Sequence, residues 1–231
     1  MPESHLISPI FPLPNLVFFP NTMLPLHVFE PRYRSMTADA IEGNRIITIT
    51  QLMPGWEKNY EGNPPVYRTA TAGFLTEYEQ VDHGRFNIVL DGFSRVRILE
   101  EIPNPGKNYR LVRCSVLEDE DPEGHEEREA LNHLMAMMHR ILELRPELQE
   151  NGRRVMTAVN HPAAFSHLLS AFLGATFDVD PYERQCLLDE DNLHRRLLLL
   201  GILASRILGI LTGQGNATSD DRDIDDLLDS I

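Results

Sequence analysis

The fold is decided by residues 9–33, PIFPLPNLVFFPNTMLPLHVFEPRY. In this segment, prolines at positions 9, 12, 14, 20 and 25 separate short runs of apolar residues. Each proline fixes its own φ, lacks an N–H donor and favours extended geometry in the residue before it, which excludes a long helix. The pattern therefore predicts two strands, over residues 10–19 and 23–28, joined by a turn at Pro20-Asn21.

A helix and further strands follow this segment. Pro31 suits the first turn of a helix, which we predict to continue to about residue 41. Residues 45–50, 71–79, 85–90, 96–99 and 109–117 are predicted strands, because β-branched and aromatic residues are frequent in them and turn residues separate them. Gly92 is expected to break one of these strands at a bulge or corner. Short strands with one helix between them predict a small, partly closed β-barrel over residues 1–117.

The composition changes at residues 118–125, which form a predicted acidic linker. Beyond it, apolar residues at 131, 134, 135, 138, 141 and 142 recur at the spacing of one helix face. Further helices are predicted over residues 163–173, ended by Gly174, then from residue 180, and from about 191 to 211. The sequence thus predicts an α+β fold, in which a β-barrel precedes a helical bundle domain at 126–213 and a mobile acidic tail at 214–231.

Two motifs resemble one known family. Residues 11–20, FPLPNLVFFP, and 24–33, LPLHVFEPRY, are similar to the opening of the N-terminal substrate-binding domain of Lon-type ATP-dependent proteases. Residues 86–100, FNIVLDGFSRVRILE, resemble the strand, Gly and Arg-x-Arg-Ile pattern of that family. The same domain occurs in cereblon-like proteins and as free-standing bacterial proteins. The resemblance covers residues 6–212 and implies a PUA-like barrel.

The formal net charge of −14 is concentrated in two segments. Residues 118–129 hold eight acidic residues and one Arg, and residues 220–231 hold six Asp and one Arg. The rest of the chain is nearly neutral. Nucleic-acid binding requires a basic face that replaces counterions along the phosphates, and no Lys/Arg-dense stretch supplies one. We therefore expect no nucleic-acid partner.

The sequence predicts a cytoplasmic protein. Its first ten residues lack the basic segment and apolar run of a secretory signal. Its most apolar run, residues 197–204, is too short to span a bilayer, so no membrane partner is expected. The two cysteines, Cys114 and Cys186, lie far apart in different kinds of segment, which suits reduced structural thiols.

Catalytic and cofactor motifs are incomplete. The only Gly-Lys pair, Gly106-Lys107, precedes an Asn where a phosphate-binding loop needs Ser or Thr. The segment HEERE at 125–129 begins like a zinc-protease helix, but Glu129 replaces its second His. Ser166 and His167 are adjacent on a predicted helix and point in different directions, so they cannot act as nucleophile and base.

These absences predict a non-catalytic protein with no metal or cofactor. The resemblance implies the same, because the ATPase and the Ser/Lys peptidase of Lon proteases belong to separate modules.

Three residues are candidates for peptide binding. Trp56 and Tyr60 lie in a Gly/Pro-rich loop at residues 53–65, where they either contact a partner or cover the barrel as a plug. Met137 lies off the apolar stripe of its helix, which makes it a candidate for an adaptable surface that binds varied apolar peptides.

The acidic tail carries a second candidate. Ile224, Leu227, Leu228 and Ile231 have the i, i+3, i+4, i+7 spacing of one helix face. This segment is either a solubilising tail or a partner-docking element that folds against a groove.

Together these observations predict a binding module for unfolded or degron-bearing polypeptides, serving as an adaptor for an ATP-dependent protease. Apolar side chains would enter a groove between barrel and helices, and extended backbone would pair at a strand edge. The alternative is a small-molecule or effector-binding regulatory protein that uses the crevice between barrel and helices as its pocket.

Overall fold

The computed structural model describes residues 5–119 and 124–213. The chain divides into two compact units, Met1–Glu118 and Asp119–Ile231. The first unit is built from strands and one helix, and the described part of the second is helical. The predicted α+β class, with a β domain before a helical one, is confirmed.

The elements of the first unit are β1 (His5–Leu13), β2 (Met23–Val28), α1 (Pro31–Glu42), β3 (Ile46–Gln51), β4 (Thr69–Val81), β5 (Arg85–Ile102) and β6 (Leu111–Leu117). Those of the second are α2 (His125–Leu144), α3 (Gln149–Met156), α4 (Pro162–Thr176), α5 (Pro181–Asp189) and α6 (Leu193–Leu211).

The sheet closes on itself through the long strand β5. The strand order is β2-β5-β4-β3-β1-β6, and β5 pairs with β6 as well. Strands β5, β4, β3, β1 and β6 therefore form a ring, while β2 extends the sheet beyond β5. Pro25 of β2 has no N–H to donate, which an edge position tolerates. β1 and β3 pair in parallel, and the connection that contains α1 joins them.

The proline-rich segment differs from its prediction in one respect. Its first strand is His5–Leu13 and ends before Pro14, so the predicted strand over residues 10–19 is wrong in its second half. Asn15 and Asn21 adopt positive φ values of 54° and 62°, which Asn tolerates better than most residues. Between them Phe18 and Phe19 are buried without belonging to a strand.

The predicted break at Gly92 is a bulge and not the end of a strand. The register between β4 and β5 shifts there, because Ala72 pairs with Ser94 whereas Gly73 pairs with Gly92. β5 runs through it as one strand from Arg85 to Ile102, with Gly92 paired to Gly73 of β4. A Cβ at Gly92 would lie 2.7 Å from the backbone oxygen of Phe19 and 3.0 Å from the ring of Phe18. Glycine is required there because the buried phenylalanine segment passes directly over the strand.

The helical unit is organised around α6, which packs against α2, α4 and α5. The buried residues of α6 fall within less than half of its circumference, although its sequence is apolar on most faces. On α2 the predicted stripe is buried at Leu131, Leu134, Met138, Ile141 and Leu142.

Gly174 does not end α4, which continues to Thr176. A Cβ at Gly174 would lie 2.6 Å from Cδ of Arg184 on α5, so this glycine permits a close packing contact. The helix α3 was not predicted. In the described part of the chain, no helix is both long and apolar enough to cross a membrane.

Candidate functional site

The predicted aromatic pair lies in a loop that the first unit holds in place. We call residues 53–65 the Trp56 loop. Gly55, at φ 84°, leads into a short 3₁₀ turn at Trp56–Asn59. The rings of Trp56 and Tyr60 meet edge to face, with centroids 5.3 Å apart. Both residues are half-buried, so neither is a fully buried plug.

Tyr60 is anchored to the start of α1. Its hydroxyl donates to Oε1 of Glu30 at 2.5 Å, and Nη1 of Arg32 donates to its carbonyl oxygen at 3.2 Å. The Arg32 guanidinium lies 4.9 Å from the centre of the Tyr60 ring and 4.8 Å from that of Tyr33. Burial, with the hydrogen bond to Glu30, raises the pKa of Tyr60, so the phenol stays a neutral donor. Tyr60 is thus anchored to the fold, and Trp56 stays the candidate for contact with a partner.

A crevice of about 380 Å³ lies beside this anchor and is lined by Glu30, Arg32, Glu61, Asn63, Asn108 and Arg110, among others. Its two arginines are already paired. Nε and Nη2 of Arg110 donate to Glu101 at 3.1 and 2.5 Å, and Nε of Arg32 donates to Glu30 at 3.0 Å. Their N–H donors are thus engaged by carboxylates of the same unit.

Met137 lies in a groove of the second unit that we call the α2–α6 groove. Its walls are Ala130, His133, Leu134 and Met137 of α2 and Leu197, Leu198, Gly201, Ile202, Ser205 and Arg206 of α6. It has a volume of about 710 Å³ and a mostly apolar lining. Ile202 remains 40% exposed although it belongs to an apolar helix. The groove is therefore an apolar surface with room for side chains from another segment.

The sequence builds this groove from a second stripe on each helix. On α2, residues 130, 133, 134 and 137 follow the i, i+3, i+4, i+7 spacing and share Leu134 with the core stripe, and on α6 residues 198, 201, 202 and 205 have the same spacing. Met137 was predicted because it lies off the core stripe. The exposed wall of α6 was missed, because a helix that is apolar on most faces does not reveal which face stays open.

The arginine in the wall of the groove, Arg206, is paired with a carboxylate of the same unit. Nη1 and Nη2 of Arg206 donate to the two carboxylate oxygens of Glu183 at 2.6 and 2.5 Å. The hydrogen bond to Glu183 raises the pKa of Arg206. With this charge paired, the groove favours apolar rather than acidic ligands.

Ser166 and His167, excluded above as nucleophile and base, are buried beside Arg196. Nη1 of Arg196 lies 2.9 Å from Nε2 of His167 and donates to Oγ of Ser166 at 3.1 Å. Oγ of Ser166 in turn donates to the carbonyl of Ala163 at 2.7 Å. One buried guanidinium nitrogen thus lies within hydrogen-bond distance of both side chains, which gives Ser166 and His167 a structural role. Among the described residues, no group of three or more His, Cys, Asp or Glu side chains is placed to hold a metal ion.

The other predicted docking element, Ile224, Leu227, Leu228 and Ile231, lies outside the described residues. The structure therefore places Trp56 and Tyr60 together in the first unit and Met137 in a groove of the second.

Comparison with known proteins assigns both units to one family. Residues 7–206 match the family model described as the ATP-dependent protease La (LON) substrate-binding domain. Lon protease 2 of Myxococcus xanthus and a Lon protease of Anaeromyxobacter dehalogenans are each 27% identical over 206 residues. These matches cover 89% of this chain but only 24% of either relative, so the chain spans about a quarter of their length.

Two solved structures share the fold. The N-terminal domain of the Mycobacterium avium complex Lon protease superposes with a TM-score of 0.67 at 15% identity, covering 87% of this chain and 98% of that one. The Lon N-terminal domain protein from Xanthomonas campestris gives 0.59 at 21% identity, covering 84% and 96%. Because the family model matches most of this chain, the chain belongs to the LON substrate-binding domain family.

Proposed function

We propose that this chain is a non-catalytic module that recognises unfolded or degron-bearing polypeptides through the α2–α6 groove. The observation that carries the proposal is the groove itself, an open apolar surface of about 710 Å³ in a domain of the substrate-binding family. The match is to the substrate-binding domain, and the catalytic role of the longer relatives is not part of the proposal.

Apolar burial supplies the binding energy. A Leu or Phe side chain that leaves water for such a groove gains about 1.5–3 kcal/mol. Several such side chains must bind together, because their burial has to offset the cost of association. Met137 allows the groove to bind peptides of different sequence, because its unbranched side chain adapts to different partners. Unfolded polypeptides expose such apolar side chains, whereas folded proteins bury them.

The finer proposal is an adaptor role in the cytoplasm. The chain would hold a polypeptide and present it to an ATP-dependent protease. This role is suggested because the region that matches this chain makes up about a quarter of the length of the related Lon proteases. The small-ligand alternative stays a prediction. The α2–α6 groove is open to solvent, which suits a polypeptide better than an enclosed small molecule.

The test is binding of a permanently unfolded protein, reduced and carboxymethylated α-lactalbumin carrying fluorescein, to the full chain by fluorescence anisotropy. Ile202→Glu places a charge in the groove. Ile210→Glu is the matched control, because Ile210 lies on the same helix, is 67% exposed and does not line the groove.

We expect Ile202→Glu to weaken binding about tenfold, equivalent to about 1.4 kcal/mol, and Ile210→Glu to change it less than about twofold. Absence of binding to the wild-type chain, or equal loss in both variants, contradicts the proposal.

A further inference from the structure

The walls of the α2–α6 groove have the dimensions of a helix docking site. Each presents an i, i+3, i+4, i+7 stripe, from Ala130 to Met137 on α2 and from Leu198 to Ser205 on α6. Seven residues of helical rise make each wall about 10.5 Å long. Ridges with this spacing accept the side chains of a third helix of the same length.

Gly201 supports a close approach by a docked chain. It lies inside α6, where glycine is less favourable than alanine by about 1 kcal/mol. A Cβ added at Gly201 would have nothing within 4 Å, so the described fold does not require a glycine there. On the groove wall, the missing side chain lets the backbone of another helix come near.

One segment of this chain fits the groove. As a helix, residues 224–231 would present Ile224, Leu227, Leu228 and Ile231 as an apolar stripe with the same spacing and a length of about 10.5 Å. The acidic residues among them, Asp225, Asp226 and Asp229, occupy the other helical positions and would remain in water.

The connection is long enough. α6 ends at Leu211, and Gly213 at φ 69° allows the chain to change direction. Returning from Gly213 to the level of Ile202 requires about 17 Å along the helix axis. Residues 214–223 can span about 33 Å when extended.

We propose that residues 224–231 dock as a helix in the α2–α6 groove and compete there with polypeptide clients. The competition rests on the proposed function, whereas the docking does not. A tethered segment has an effective concentration on the order of 1 mM, so an intrinsic Kd of about 100 μM lowers the apparent affinity of a competing ligand about tenfold.

The experiment uses two full-length chains, the wild type and the double variant Leu227→Asp/Leu228→Asp, whose own tail can no longer dock. The probe is a fluorescein-labelled peptide of residues 218–231. We expect the double variant to bind the probe about tenfold more tightly than the wild type. Adding Ile202→Glu to the double variant should remove probe binding, and adding Ile210→Glu should leave it unchanged.

Docking is overturned if the probe binds neither chain, if it binds both chains equally, or if Ile202→Glu leaves its binding intact. The same two chains are then titrated with the unfolded protein. The effect of Ile202→Glu on that binding is measured in the double variant, because in the wild type the substitution would also release the competing tail. Equal affinity of both chains for it overturns the competition while the proposed function stands. Binding of the probe without binding of the unfolded protein overturns the proposed function while docking stands.

Discussion

Nη2 of Arg196 donates to Oδ1 of Asp119 at 2.7 Å, which ties the first residue of the helical unit to the first turn of α6. The Arg196 side chain is fully buried, and it donates from Nε and Nη2 to the carbonyl of Glu190 at 3.1 and 2.7 Å. A buried guanidinium is tolerated only with such partners.

Asp119→Asn should therefore destabilise the fold. It removes the negative charge while Arg196 remains buried, which costs about 3–5 kcal/mol in comparable sites. Urea unfolding measures the change. The control is Glu150→Gln, which weakens an exposed ion pair with Arg154 and should cost less than about 1 kcal/mol. A cost for Asp119→Asn as small as that of the control would show that the Arg196 cluster does not stabilise the unit.

Two substitutions at Gly201 should affect stability and ligand binding separately. Gly201→Ala should stabilise the chain by up to about 1 kcal/mol, because the added Cβ meets no atom and alanine favours the helix. Gly201→Leu fills the groove and should weaken binding of the unfolded protein about tenfold without unfolding the chain. Thermal unfolding and anisotropy measure the two effects. If Gly201→Leu binds as the wild type does, the ligand does not enter the groove at this position.

The aromatic pair of the Trp56 loop should also divide into two roles. Tyr60→Phe removes the hydrogen bond to Glu30 and should lower the free energy of unfolding by about 1–2 kcal/mol. Trp56→Ala should change stability less but weaken binding of the unfolded protein about threefold to tenfold. Chemical denaturation and anisotropy on both variants distinguish these roles. The reverse pattern would make Trp56 the structural residue.

Because of the buried thiol of Cys114, we expect the chain to lose stability in alkaline solution. Burial in the barrel raises the pKa of its thiol from 9.0 to about 12. The folded chain therefore keeps a proton that the unfolded chain releases, so the stabilisation is complete below pH 9 and is lost as the pH rises towards 12. The loss is about 1.4 kcal/mol per pH unit within that window.

Urea unfolding at pH 8.5 and pH 10 measures this contribution. Cys114→Val, which keeps a small apolar side chain, should have a smaller loss between the two pH values than the wild type. An identical loss in both chains would assign the pH dependence to other groups, such as Tyr33 and Tyr109, whose pKa values are raised to about 12, mainly by burial.

Helices and strands whose ends are set by neighbouring residues in the sequence could be predicted correctly. Pro31 begins α1 and Pro181 begins α5, because proline at the first helical position sacrifices no hydrogen bond. β2 has the predicted bounds. The bulge predicted at Gly92 is present, although β5 continues through it. Gly174 was misread as a helix end, because a glycine required by a neighbouring side chain has the same appearance in a sequence as one that ends an element.

Features that depend on distant residues could not be predicted in the same way. The Arg196–Asp119 bond joins residues 77 positions apart, and no local pattern relates them. α3 has few apolar residues, and its Gly152 is explained only by Leu142 of α2, whose Cδ2 would lie 2.5 Å from an added Cβ. Met137 was found as an off-stripe residue, but the other wall of its groove required the packing of α6.

The measurement that tests the central claim most directly is site-specific photocrosslinking. The crosslinking residue p-benzoylphenylalanine replaces Met137 in one full-length chain and Ile210 in another, and each is irradiated with the carboxymethylated unfolded protein. Our proposal predicts a crosslinked product from position 137 and none above background from position 210. Binding that persists without a crosslink at position 137, or equal crosslinking at both positions, would contradict recognition in the α2–α6 groove.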